Sequence, residues 1–244
     1  MLKYVLERSF VSLGKVDCEN WAISKVVAKC RRIFQVILGR NQQPSKRRVF
    51  FSFHYQNDVW RANQIRQSWR HQHENTRESF GFYDGSIWER SKRESDDSLK
   101  ELIRQGVKNT SVTCILAGSQ TCERRWVRYE IARSILKGNG LLTVRIHNMR
   151  NSKGQLSVKG ENPLDCMGVY LAGPGKILLC EKKGSTWERY EDYQQTVTLP
   201  ASWRKPTSTN VIRLSTYATD HCYATQAGSQ YFGQWVRDAA ASVG

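Results

Sequence analysis

A tryptophan and a glutamate stand four residues apart in RRWVRYEIARSIL, residues 124 to 136. On a helix, positions four apart share a face, so Trp126 and Glu130 would present an indole beside a carboxylate. Such a carboxylate can hold a sugar hydroxyl or stabilise developing positive charge while the ring walls the site. Taken alone, Glu130 reads as a solvated helix carboxylate paired with Arg125 or Arg133, and Trp126 as core packing. A second stretch matters as much. RVFFSFHYQND, residues 48 to 58, runs from an apolar strand-like segment into a polar turn and then a helix start. It offers Phe53, His54, Tyr55, Asn57 and Asp58 at one junction. His54, alone at a strand end, reads as a satisfied polar residue rather than a base.

These residues need elements to position them. Residues 48 to 54 read as a strand, and Asp58 caps a helix to about residue 73, with Val59, Ala62, Ile65 and Trp69 on one stripe. SFGFYD, residues 79 to 84, reads as a short strand. Ser95 or Asp96 opens a helix through Leu99, Leu102 and Ile103 that Gly106 closes. SVTCILAG (111 to 118) is a buried-type strand, and 122 to 137 is a helix ended by Gly138. LLTVRI (141 to 146) is the next strand. Strands separated by helices predict a parallel sheet with helices on both faces. Ligands then sit beyond the strands' carboxyl ends, here Phe53-His54-Tyr55, Tyr83-Asp84, Gly118-Ser119 and His147-Asn148.

After residue 147 the alternation stops. NMRNSKGQLSVKGENP is a long polar loop. MGVYLA (167 to 172) and KILLCEKK (176 to 183) are short strands, and WERYEDYQQTVTLP is a strand or an irregular arm. A closing helix from Gly228 to Val243 carries Phe232, Trp235, Val236 and Ala239 at helical spacing. Near the start, NWAISKVVAKCRRIFQVIL (20 to 38) reads as a basic amphipathic helix. It suits packing on the body, an oligomer contact or a membrane surface.

The net charge of +16 is distributed unevenly. Residues 1 to 50 carry 11 Lys/Arg against 3 Asp/Glu, and the other 194 carry 27 against 19, so each part contributes +8. A basic balance favours anionic partners. Nucleic acid is disfavoured for the body, where the charges of both signs are interspersed and no recognition motif stands out. Seven cysteines, odd in number and without a CxxC pair, read as free thiols rather than a disulfide framework or a zinc site. No apolar run is long enough to span a membrane, and the first residues do not read as a secretory signal. No GxGxxG follows the first strand, which disfavours a hydride-transferring dehydrogenase.

FFSFHYQND resembles the first box of TIR-type domains, and ERRWVRYEI resembles their tryptophan-x-x-x-glutamate helix. VRIHNMRNSKGQLSVKGENPL is similar to the long insertion of TIR-like proteins of the bacterial Thoeris anti-phage system. The resemblance covers about residues 48 to 200. It implies a flavodoxin-like, TIR-like α/β sheet; the basic helical extension and linker at 1–47 have no counterpart in that family. The helical spacing near the end adds a C-terminal β/α elaboration, with 201–244 packing a closing helix on the domain. The resemblance implies further that Glu130 is catalytic in cleaving NAD to a cyclic ADP-ribose-type signal, and that a separate effector downstream reads this signal. Phe53, His54, Tyr55, Asn57, Asp58, Asp84, Ser119 and Trp126 are carried over as substrate-binding positions, with Phe53 stacking on nicotinamide or adenine. Phe82 and Tyr83 add aromatic surface near the same strand ends. NAD is the substrate, so no cofactor and no metal is expected. A cytoplasmic protein that self-associates fits the same family. The competing readings are a non-catalytic TIR-like scaffold, a basic nucleic-acid binder acting through residues 1 to 48, and a receiver-type binder of a small phosphorylated molecule. The last is opposed by His54 and Tyr55, which stand where an acidic cluster would be.

Overall fold

A computed structural model describes residues 48–72, 80–81 and 95–244. All of them fall in the second of the two units into which the chain divides, Lys46–Gly244. The expected basic helix at 20 to 38, the rest of 1–47, and Phe82, Tyr83 and Asp84 lie outside the described residues.

Strand β1, Val49–Phe53, is flanked by β2 (Phe80–Gly81) and β3 (Val112–Ala117). Beyond β3 come β4 (Gly140–Arg145) and β9 (Thr219–Cys222), and every neighbouring pair is parallel. Side chains alternate across these strands, and the two faces are covered by different helices. Val49, Phe51, Cys114, Leu116, Leu142 and Val144 point to one face. There they meet Ala62, Ile65 and Trp69 of α1 (Tyr55–Gln72) and Phe232, Trp235, Val236 and Ala239 of the last helix, α4 (Gly228–Ala241). Phe50 points the other way, onto Leu99, Ile103 and Val107 of α2 (Asp96–Lys108). Ile115 and Leu141 share that face and pack on Val127, Ile131 and Ile135 of α3 (Arg125–Lys137). The expected α/β architecture is therefore the observed one.

A second sheet stands beside the first. Its order is β7-β6-β5-β8, all antiparallel, from Met167–Gly173 (β5), Lys176–Lys183 (β6), Thr186–Arg189 (β7) and Ile212–Arg213 (β8). Met167, Val169 and Leu179 join the same core as Val127 and Ile131. Helix α3 is thus held between two sheets, and seven of its thirteen residues are buried. WERYEDYQQTVTLP begins as β7 and continues as an irregular arm that buries Tyr190, Val197 and Leu199.

Three sequence expectations are corrected in detail. Helix α1 begins at Tyr55 rather than being capped by Asp58, because the Asp58 amide already donates to the His54 carbonyl in a helical bond of 2.9 Å. Helix α2 runs through Gly106 to Lys108, since Val107 is buried beside Phe50 and burial outweighs the glycine's weak helix propensity. The third helix is preceded by a separate 3-10 turn, Thr121–Glu123. Strand β9 has no strand signal in the sequence, yet it completes the sheet beside β4.

The polar loop after β4 is pinned rather than loose. Arg61, 3% exposed, donates to the carbonyls of Met149 at 2.8 Å and Gln155 at 3.2 Å and to Asp58 at 3.1 Å. Asn162 accepts from Thr143 at 3.0 Å and from the Leu164 amide at 3.0 Å, and Arg145 pairs with Asp220 at 2.7 Å.

Gly140 begins β4 where the α4 backbone crosses it. A Cβ there would overlap the Ala239 carbonyl oxygen. Gly140→Ala is therefore expected to destabilise the protein by about 1–3 kcal/mol, as overpacking against an unyielding backbone does. Urea unfolding that left the midpoint unchanged would contradict this contact.

Candidate active site at the carboxyl end of the first strand

Ser52 shares the parity of Phe50 on β1, so its side chain points toward α2 and α3 rather than α1. Ser52 is fully buried and Glu130 is 5% exposed. The Ser52 hydroxyl donates a short hydrogen bond to Glu130 Oε2. One turn further along α3, Ser134 makes the equivalent contact with the sheet, a 2.6 Å hydrogen bond to Thr113 of β3. Ser134 also donates to the Glu130 carbonyl at 2.7 Å. Two polar residues of one helical face therefore meet two polar residues of adjacent strands. Ser134 is closed in, whereas Glu130 borders a cleft.

Burial raises the proton affinity of Glu130. Its pKa rises from 4.5 to about 8, with desolvation the dominant cause and the Ser52 hydrogen bond opposing it. The reading of Glu130 as a solvated carboxylate paired with arginine is thereby overturned.

The cleft above it has a volume of about 240 Å³. Phe53, His54 and Tyr55 from the end of β1 line one side; Arg124, Trp126 and Glu130 line the other. The fold thus gathers five of the residues expected from sequence: Phe53, His54, Tyr55, Trp126 and Glu130. Trp126 is half-buried, edge-on to Tyr129 at 6.1 Å between centroids, with the Arg125 guanidinium over its ring at 4.8 Å. Arg125 is itself held by Asp192 at 3.0 and 2.9 Å and by Asp96 at 2.6 Å. Lys100 joins Asp192 at 2.9 Å. Hydrogen bonds from Arg125 and Lys100 depress the Asp192 pKa to about 2. This cluster fixes the indole against the cleft.

The remaining expected positions have other duties. Asn57 does not line the cleft, but its amide donates to Gln120 at 2.8 Å, and Arg124 donates to the same Gln120 oxygen at 3.0 Å. Asp58 is buried against Gly118 and paired with Arg61, so it anchors the long loop. Burial raises its pKa while Arg61 lowers it. Ser119 lies behind Gly118, where its carbonyl meets Gly160 of the loop. Asp84 lies outside the described residues. Sequence reasoning missed Gln56, Glu123, Arg124 and Arg125 at the cleft, and Ser52 beneath it as the partner of Glu130. Strand parity could have placed Ser52, given the order of the strands, and the Arg-Arg-Trp run could have flagged Arg124.

The cysteines depart from the sequence expectation. Cys122 and Cys166 are joined as a disulfide, with Cα atoms 6.5 Å apart, while Cys114, Cys180 and Cys222 are free. Their separation of 44 residues gave no sequence cue.

The family described as "Thoeris protein ThsB, TIR-like domain" matches residues 50–151. A curated protein of Bacillus cereus (strain MSX-D12), named "Putative cyclic ADP-D-ribose synthase ThsB1", is 40% identical over 195 residues. The match spans 78% of this chain and 98% of that relative.

The raised pKa of Glu130 has a thermodynamic consequence. The folded state holds this proton more tightly than the unfolded chain does. The stability it contributes is therefore complete below pH 4.5 and is lost as pH rises to about 8. Over that window the wild type is expected to lose roughly 4 kcal/mol relative to Glu130→Gln, by the cost per pKa unit. Parallel pH profiles of the two proteins in urea unfolding would show that Glu130 is not a buried acid.

Proposed function

The chain belongs to the Thoeris ThsB TIR-like family, and on that premise we propose that it is an NAD-cleaving enzyme whose working carboxylate is Glu130. The observation that carries this reading is the carboxylate itself, buried at the floor of an aromatic cleft with one hydroxyl partner. The bond broken is the one between the ribose anomeric carbon and the nicotinamide nitrogen. Nicotinamide is cationic in NAD and leaves neutral, so no general acid is needed, and the second carboxylate of a glycosidase can be absent. What the reaction needs is stabilisation of the positive charge that moves onto the ribose as the bond opens. Glu130, ionised, supplies it, and Ser52 holds the carboxylate in place.

The high proton affinity of Glu130 suits a cationic substrate. A nicotinamide ring brought next to it favours the ionised form, so binding expels the proton that the free protein retains. The cleft is smaller than the ~300–1,000 Å³ of pockets that enclose a whole ligand; it therefore receives the nicotinamide-ribose end. Phe53, Tyr55 and Trp126 supply ring surfaces, and Arg124 supplies the cation for the diphosphate. Arg125 is committed to Asp192 and Asp96.

Trapping of the oxocarbenium by an atom of the same nucleotide gives a cyclic ADP-ribose-type product, and trapping by water gives linear ADP-ribose. A site that excludes water favours the first. The product acts on a separate effector in anti-phage defence, in the cytoplasm, with self-association of the enzyme. Among the described residues no helix is long and apolar enough to cross a membrane.

Purified protein incubated with NAD is expected to release nicotinamide with a product of cyclic ADP-ribose mass. Glu130→Gln should lose on the order of 10²–10³ in kcat, the scale of a removed charge-stabilising group. Linear ADP-ribose alone would make it a hydrolase. Turnover retained by Glu130→Gln would sink the assignment. The pH dependence carries a separate expectation. kcat/KM reports the free enzyme, so it should rise with pH and level off above about 8. Ser52→Ala should move that limb upward, because the lost hydrogen bond favoured the ionised form.

A further inference from the structure

Three ligand-type atoms converge away from the cleft floor. Cys122 lies in the 3-10 turn Thr121–Glu123, and Cys166 follows a second 3-10 turn, Pro163–Asp165, that leads into β5. Glu161 stands just before that second turn. Both sulfurs are buried, at 8% and 3% exposure, and the Glu161 carboxylate reaches them from the solvent side. Its Oε2 is 3.7 Å from Cys122 Sγ and 3.5 Å from Cys166 Sγ, and all three donors lie within 4.8 Å of one another.

These distances have a chemical meaning. A tetrahedral zinc ion holds sulfur at about 2.3 Å and carboxylate oxygen at about 2.0–2.2 Å, which separates the two ligand atoms by about 3.6 Å. With the sulfurs still bonded to each other, Glu161 already stands at about that distance from both, 3.7 and 3.5 Å. A disulfide has no S–H to offer a carboxylate, whereas thiolates and a metal ion give Glu161 a partner. The third edge, between the sulfurs, is closed by the disulfide. Reduction by a thiol or phosphine, two electrons and two protons per disulfide, breaks that bond, and the 6.5 Å between the Cα atoms leaves the two side chains able to rotate their sulfurs apart.

We propose that the reduced Cys122–Cys166 pair, with Glu161, is a binding site for a thiophilic divalent cation of the zinc type. Two thiolates and one carboxylate fill three positions, and water takes the fourth on the exposed side. Binding releases the two thiol protons to solvent. The thiolate pair selects zinc over magnesium or calcium, which prefer oxygen donors. The ion would tie the turn that delivers Glu123, Arg124 and Trp126 to the cleft onto the start of β5. It braces the lip of the site and takes no part in bond cleavage.

The test uses full-length protein, reduced with a phosphine, freed of metal and titrated with Zn²⁺. Co²⁺ serves as the spectroscopic probe. One equivalent is expected to bind at this site, with a thiolate-to-cobalt charge-transfer band. Cys166→Ser should remove that equivalent. Glu161→Gln, at an exposed position that leaves the fold intact, should weaken it by about tenfold or more, the scale seen when metal sites lose supporting groups. Cys222→Ser should change nothing. Binding unaltered by Cys166→Ser, no charge-transfer band, or a Cys122–Cys166 bond that survives reduction under native conditions would each overturn the site. These readouts do not depend on NAD turnover, so failure of the metal site and failure of the NAD reading are separable.

Discussion

One helix between two sheets governs the rest. A helix on a single sheet buries one stripe and leaves the opposite one in water. Helix α3 packs the parallel sheet on one side and shares a core with the antiparallel sheet, so its second turn has little water on either side. A carboxylate in that turn is costly to ionise. Its partner, the Ser52 hydroxyl, lowers the cost without cancelling it. Nothing in α3 itself makes Glu130 unusual. Its place does, because this turn of the helix lies over the carboxyl end of β1, against the buried Ser52.

The charges around the cleft divide by role. Arg125, Asp192, Asp96 and Lys100 are tied to one another across α2, α3 and the arm after β7. That cluster is largely exposed at Arg125 and Asp96, so its worth in stability is small. Its effect is geometric, because it holds the guanidinium over Trp126 and so keeps the indole at the cleft wall. Arg61 and Asp58 are nearly dry, and they fasten the loop after β4 to α1. Arg124 touches an amide and stays available to an anion.

Much of the parallel sheet was legible because its strands are apolar on both faces and its helices carry regular stripes. Val112 to Ala117 is buried at every position and reads as a strand without help. The Trp126 and Glu130 pairing was legible for the same reason: four residues is one helical turn. What the sequence could not show was burial of Glu130, since that depends on Ser52 at the end of β1, 78 positions earlier. Strand β9 was illegible as well. Thr219, Asp220, His221 and Cys222 are polar or half-exposed, and the strand forms because β4 offers an unpaired edge. The placements of Asp58 and Ser119 followed a general rule about strand ends. The rule found the right end of the sheet but could not say which side chains would be drawn into fastening the loop.

Helix α4 and strand β9 arrive late in the chain, and this sets an order on biosynthesis. The cleft residues lie between positions 53 and 130, so they leave the ribosome well before Phe232 and Val236. Until those follow, the face carrying Phe51, Leu116, Leu142 and Val144 has only α1 to cover it, and β4 is an open edge able to pair with another chain. A nascent chain that already contains every cleft residue is thus still half a protein. Pairing β4 with β9 closes a loop of more than seventy residues, a long-range contact of the kind that slows folding. During that interval the strand edge and the apolar face are open to pairing with other chains.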